Sequence, residues 1–221
     1  NGQVIVNLND VLPKYSPNLY QYLQENPDVD KMVRSNEGNY YVYPFLRGDE
    51  LLTTYAGPVL RKDWLDELNL PVPETIDEWD ATLRAFKEQK QSAVPLSFVQ
   101  SSVALSFIAG AFQTPHGFYV DDTGTVKFGP AEPEFKEYLT LMKKWIDDGL
   151  LDKNLANVDQ RIIDANMLNG KSGATFASAG SGIGRWIEAA RGAGDTTFDL
   201  VAAPYPCLLY TSDAADDLTR V

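Results

Sequence analysis

The chain has 221 residues, 44% hydrophobic and 23% charged, ordinary globular usage that excludes a disordered or fibrous class and suffices for one large domain or two small ones. Its 31 acidic against 19 basic residues leave a formal charge of -12, which repels a phosphate backbone and excludes nucleic acid as a partner. The single cysteine, Cys207, excludes an intrachain disulfide framework and a multi-cysteine metal site, and nothing approaches the run of about 18 apolar residues that spans a bilayer.

From the N-terminus, residues 7–34 are interrupted by Pro13, Pro17 and Pro27, each better suited to a helix start than an interior, so short helices are expected. Residues 40–45 and 51–55 are aromatic and β-branched and read as two strands flanking Arg47-Gly48-Asp49-Glu50. Trp64, Leu65 and Leu68 have helical spacing, which Pro71-Val72-Pro73 stops. Thr75 and Glu78 form a capping box ahead of Ile76, Trp79, Leu83 and Phe86, predicting a helix that ends near Gln89. Residues 94–99 read as a strand, 103–112 as a buried helix, and 118–128 as a hairpin turning on Asp121-Asp122-Thr123-Gly124.

Two amphipathic helices follow, one through Phe135, Leu139, Met142, Trp145 and Ile146 closed by Gly149, the other through Ile162, Ile163, Met167 and Leu168 closed by Gly170. A strand at 174–177, a helix at 183–190 and a strand at 198–203 complete an alternation that argues for α/β with a central sheet. Residues 207–221, opening Cys207-Leu208-Leu209-Tyr210-Thr211-Ser212-Asp213, look like translated sequencing-adapter DNA, with a genuine polar tail as the alternative, and are set aside. The chain opens on Asn1 with no leader-like stretch, which leaves the compartment open.

Catalytic and nucleotide chemistry find little support. The one histidine, His116, has no acidic or cysteine partner at ligand spacing and reads as a solvated loop residue. Gly170-Lys171-Ser172 lacks the glycine five positions earlier that a phosphate loop needs, Ala165 standing there, and reads as a helix C-cap. Gly180-Ser181-Gly182-Ile183-Gly184-Arg185 fails the dinucleotide pattern at its third glycine. It links a strand to a helix, so its amides either meet a ligand oxygen or form an ordinary connection. Asp49 with Glu50, and Asp147 with Asp148, are the carboxylate pairs that a glycoside hydrolase would draw on, but adjacent carboxylates usually face water.

The order of motifs carries more. Tyr41-Val42-Tyr43-Pro44, Arg61-Lys62-Asp63-Trp64-Leu65-Asp66-Glu67-Leu68 and Pro73-Glu74-Thr75-Ile76-Asp77-Glu78-Trp79 are followed by Trp145-Ile146-Asp147-Asp148-Gly149-Leu150-Leu151-Asp152, then Met167-Leu168-Asn169-Gly170-Lys171-Ser172-Gly173-Ala174, Gly182-Ile183-Gly184-Arg185-Trp186 and Phe198-Asp199-Leu200-Val201-Ala202-Ala203-Pro204. No single motif is diagnostic, but from about Asn7 to Pro206 the set resembles extracellular solute-binding proteins of family 1, in particular the lipoprotein-type sugar-binding members from Gram-positive bacteria.

That resemblance implies an α/β, periplasmic-binding-protein-like type II fold truncated at both ends. Residues 1–57 would be a remnant of the first lobe with the first crossing strand, 58–200 the second α/β lobe, 201–206 the start of the return strand, and 207–221 the non-native tail. The implied function is the substrate-binding component of an ABC importer, capturing a carbohydrate between hinged lobes and delivering it to permease subunits. An oligosaccharide is the expected ligand, a uronide among the options if two arginines fork a carboxylate.

The implied ligand-binding residues are Arg47, Asp49, Tyr55, Gln100, Ser101, Ser178, Ser181, Arg185 and Trp186, with no catalytic residue, metal or cofactor. Trp186 is expected as an aromatic ligand contact, with packing on its helix as the alternative, and Arg47 and Asp49 would otherwise pair with each other. The whole protein is expected to be a monomeric extracellular lipoprotein, meeting the membrane only through a lipid anchor. The rival readings are a secreted glycoside hydrolase and a fragment without function of its own.

Overall fold

The structure, a computed structural model, describes residues 5–48, 52 and 54–208. It divides into two units, Asn1–Thr53 and Thr54–Val221. In the first, prolines open three short helices, α1 (Leu12–Tyr15), α2 (Pro17–Glu25) and α3 (Pro27–Val33), as expected where a missing N–H costs nothing. Leu12, Leu23 and Tyr40 form their small core. Tyr40 is fixed by its hydroxyl, which donates to Asp30, and the same carboxylate accepts from Arg34 Nε at 2.6 Å.

Residues 40–45 do not form the expected strand. Tyr40 makes one isolated bridge, to Arg34, and Tyr41, Val42, Tyr43 and Phe45 are exposed. β-propensity describes fit to a pleated, half-buried surface, and among the described residues no strand pairs with this run beyond Tyr40. The expected strand at 51–55 lies partly outside the described residues, and Tyr55 falls just ahead of the strand that does form.

The second unit is built on that strand, β1 (Ala56–Arg61), followed by α4 (Lys62–Leu68), α5 (Ile76–Gln89) and α6 (Ser102–Ala109). After the hairpin of β2 (Phe118–Val120) and β3 (Val126–Phe128) come α7 (Pro133–Asp147), α8 (Gln160–Leu168) and β4 (Ala174–Ser178). A π-helical turn, Ala179–Gly184, then runs into α9 (Arg185–Gly192) and leads on to β5 (Leu200–Ala202). The capping box is present in full: Thr75 Oγ1 accepts from Glu78 N–H at 3.2 Å, and Glu78 Oε2 accepts from Thr75 N–H at 3.0 Å. Asp159 caps α8 with a single bond, accepting from Ile162 N–H at 3.0 Å.

The sheet order is β4-β1-β5, with β1 antiparallel to both neighbours. Residues 94–99, expected as a strand, contribute only Leu96, which bridges Leu151 and Ala174, both in parallel. Pleating then divides the core. Leu60, Ala174, Phe176, Val201 and Ala203 turn onto one cluster with Trp79, Phe86, Phe107 and Trp145; Val59, Ala177 and Leu200 turn onto another with Ile163, Met167, Trp186 and Phe198.

Where β4 begins, the backbone approaches α5 so closely that no side chain fits. A Cβ on Gly173 would lie 2.3 Å from Phe86 Cδ2 and 2.8 Å from Trp64 Cε3, and those rings are locked edge to face at 5.2 Å. Gly173→Ala is expected to destabilise the chain by about 1–3 kcal/mol through overpacking, read as a lower urea midpoint at unchanged m-value. A neutral result would show that the two rings yield.

His116 is not the solvated loop residue its neighbours suggested. It is half-buried, with Nε2 3.0 Å from Tyr138 Oη and edge-to-face contacts to Phe135 and Tyr138 on α7, and burial pushes its pKa down. Gly170 does close α8, in the left-handed region at φ 66°.

Candidate functional site

Strand direction decides what meets at the end of the sheet. β4 is antiparallel to β1 and parallel to Leu96 where they touch, and β5 is antiparallel to β1. The start of β1 and the ends of β4, β5 and the 94–99 segment therefore share one rim, where the chain turns into α6 and into the π-helical turn. Open α/β sheets bind ligands at such carboxyl ends.

Tyr55 enters the rim ahead of β1; its carbonyl accepts from Ala179 N–H at 3.2 Å and its side chain is 56% exposed. Ala203 N–H donates to Pro58 O at 2.9 Å, continuing the β1–β5 pairing toward Tyr205, which is 40% exposed. The two phenols are close enough that burial first and Tyr55 second push the Tyr205 hydroxyl's pKa up. Tyr205 meets Phe176 edge-on at 6.4 Å, and Phe176 stacks on Phe107 at 5.8 Å. An aromatic strip thus runs from the core to the rim.

Around it lie polar groups. Gln100 is exposed beside Ser101, whose Oγ caps α6 by accepting from Ala104 N–H at 3.1 Å. Ser178 ends β4, and its hydroxyl contacts that of Ser181 in the π-helical turn. Gly182 is there for packing, since a Cβ on it would lie 2.6 Å from Ala177 Cβ. Tyr55, Gln100, Ser101, Ser178 and Ser181 are thus brought to one end of the sheet.

Two expected residues, Trp186 and Arg185, are committed elsewhere. Trp186 is 0% exposed, packed among Val59, Ile163, Met167 and Phe198, with Nε1 donating to Asp164 Oδ1 at 2.9 Å. It is a core side chain, because on α9 it turns under the sheet while the rim lies a turn earlier. Arg185 is exposed but engaged: its guanidinium forks onto Asp164 at 2.6 and 2.5 Å, and Nε donates to Ser181 O at 2.8 Å. Arg47 belongs to the first unit, its guanidinium carbon 5.2 Å from the Phe45 ring centroid, and Asp49 lies outside the described residues.

Sequence reading missed Tyr205 and Phe176. Their alternation with Ala203 and Ala174 is visible in the sequence, but the β1–β5 pairing that carries Tyr205 to the same sheet end as Tyr55 is not.

Asp147 and Asp148, one of the carboxylate pairs a hydrolase would draw on, are each held by cations: Asp147 by Lys143, Asp148 by Arg84 and Lys144. The other pair, Asp49 and Glu50, lies outside the described residues. Among the described residues no group of three or more His, Cys, Asp or Glu side chains is arranged to hold a metal ion, and no helix is long and apolar enough to cross a membrane. Cys207 pairs its backbone with the start of α5, its N–H donating to Glu74 O at 3.0 Å and its carbonyl accepting from Ile76 N–H at 2.9 Å. Most of the remaining tail lies outside the described residues.

The sheet with its flanking helices is a partial α/β lobe of the periplasmic-binding-protein-like fold. No protein-family model matches the chain. Over 166 residues, 68% of the chain, it is 27% identical to the fructooligosaccharide ABC transporter substrate-binding protein FusA of Streptococcus pneumoniae, covering 31% of that protein. Over 148 residues, 60% of the chain, it is 32% identical to the polygalacturonan/rhamnogalacturonan-binding protein YtcQ of Bacillus subtilis, covering 28% of it. The crystal structure of the alginate-binding protein AlgQ2 superposes with a TM-score of 0.73 at 25% identity, over 90% of this chain and 41% of that one. The chain is similar to carbohydrate-binding substrate-binding proteins of ABC transporters, and spans about three-tenths of the length of these two curated relatives.

Proposed function

We propose that the protein of which this chain is part captures a carbohydrate between two hinged lobes and hands it to the permease of an ABC importer, making and breaking no bond. The observation that carries this is the rim itself, where the partly exposed Tyr55 and Tyr205 lie at the same sheet end as Gln100, Ser178 and Ser181. Phenol rings cover the apolar faces of a pyranose, and hydroxyl and amide groups exchange hydrogen bonds with its hydroxyls. Ligand binding favours closure of the lobes, and the closed form docks on the permease. The ligands named for FusA, YtcQ and AlgQ2 are all saccharides, which supports an oligosaccharide here. The organisms of the two curated relatives support a Gram-positive surface lipoprotein, and we assign a monomer with residues 1–57 as the first-lobe remnant and 58–200 as the second lobe.

A uronide is the second reading, favoured because polygalacturonan and alginate are polyuronides. Asp164 already occupies the Arg185 fork, so a uronide carboxylate would be met elsewhere.

In the full-length protein, isothermal titration across a panel of neutral and uronic oligosaccharides is expected to give saturable binding without product. Tyr55→Ala and Tyr205→Ala are each expected to weaken it about 2–12-fold, the worth of one aromatic stacking contact. Turnover of a bound oligosaccharide would overturn capture; full affinity in both variants would remove the rim.

A further inference from the structure

The π-helical turn Ala179–Gly184 carries Ser181 and follows Ser178, yet no side chain caps its N-terminal end. A wide turn of this kind competes with ordinary α-helical winding, so something must hold it. The Arg185 Nε bond to Ser181 O spans the turn from below, and the rest of that guanidinium is committed to both oxygens of Asp164. Asp164 stands on α8, which Ile163 and Met167 root in the core, and its Oδ1 also accepts from Trp186 Nε1 and Gln160 Nε2, each at 2.9 Å. One carboxylate thus receives four donors from three directions.

We infer that Asp164 is a positioning residue for the rim: acting through Arg185, it fixes the turn that presents Ser178 and Ser181. The inference deepens the sugar-capture reading and takes its functional meaning from it. An exposed ion pair by itself contributes little, but a bidentate fork fixes orientation as well as charge. Here it orients Arg185 so that Nε meets the Ser181 carbonyl. Arg185 first, and then Gln160 and Trp186, hold the Asp164 carboxyl well below the usual range, at about 2, so the fork is charged at neutral pH.

The test is amide hydrogen exchange on the 221-residue chain, which needs no sugar and so stands or falls apart from the capture reading. In Asp164→Asn, which keeps an acceptor for Trp186 but loses the charged fork, amides of residues 180–184 are expected to exchange about ten-fold faster, with those of α5 unchanged. Arg185→Lys keeps the positive charge but not the fork, and should accelerate the same amides; Asp164→Glu, which restores the fork, should recover most of the protection. Unchanged exchange at 180–184, or equal acceleration in α5 in both fork-breaking variants, would overturn positioning, the latter by reducing Asp164 to a general buttress. Should Asp164→Asn not fold, Arg185→Lys and Asp164→Glu decide the matter.

Discussion

Replacing Trp186 by alanine is expected to lower the chain's stability by about 3–5 kcal/mol, the cost of emptying a large aromatic site in a core. The side chain is fully buried between β1, α8 and the approach to β5, and its indole N–H is satisfied by Asp164. At roughly 2–4 °C per kcal/mol for a chain of this size, the thermal midpoint should fall by about 6–20 °C. Trp186→Phe keeps most of the apolar contact and loses the donor, so about 1 kcal/mol is expected. Urea denaturation followed by circular dichroism measures both. A surface platform for a sugar would behave in the opposite way, with stability within about 0.5 kcal/mol of the parent and binding lost. That pattern would reverse the placement of Trp186 in the core.

An effect of similar size is expected at Arg61. Its side chain is buried at the end of β1, with Nε and Nη2 on Asp63 at 2.8 and 2.5 Å and Nη1 3.4 Å from Met167 O. The guanidinium lies between two rings, its carbon 4.6 Å from the Trp64 centroid and 4.4 Å from that of Phe198. Arg61→Ala leaves the Asp63 carboxylate largely buried without its partner and opens a gap between the rings, for which about 3–5 kcal/mol is expected. Arg61→Lys should recover little of this, because an ammonium neither forks onto a carboxylate nor stacks flat. A loss below about 1 kcal/mol in either variant would show that water replaces the pair at little cost. The Arg61-Lys62-Asp63 motif that helped to define the family resemblance is, on this account, a joint between β1, α4 and α8 and not a ligand contact.

Much of the helical framework was legible in the sequence because its signals are local. Pro17 and Pro27 open helices, Thr75 with Glu78 caps another, and Gly170 closes one, each by geometry confined to a single turn. Strands were less legible. Residues 40–45 have strong β character and make only one bridge, while Ala56-Gly57-Pro58, with almost none, enters the central strand because β4 and β5 lie on either side of it. A helix satisfies its own backbone, whereas a strand is defined by partners far away in sequence.

The site divides in the same way. Composition, charge and motif order were enough to raise the expectation of a periplasmic-binding-protein-like α/β lobe, since these depend on the inventory of residues and their sequence. Only the tertiary structure could tell Trp186 from Tyr205: the first sits in an apparently ideal Arg-Trp motif and points into the core, while the second, in a plain Pro-Tyr-Pro run, reaches the rim. Pleat and register determine which face a side chain takes, and both are set by the pairing of β1 with β4 and β5 across more than a hundred residues of chain.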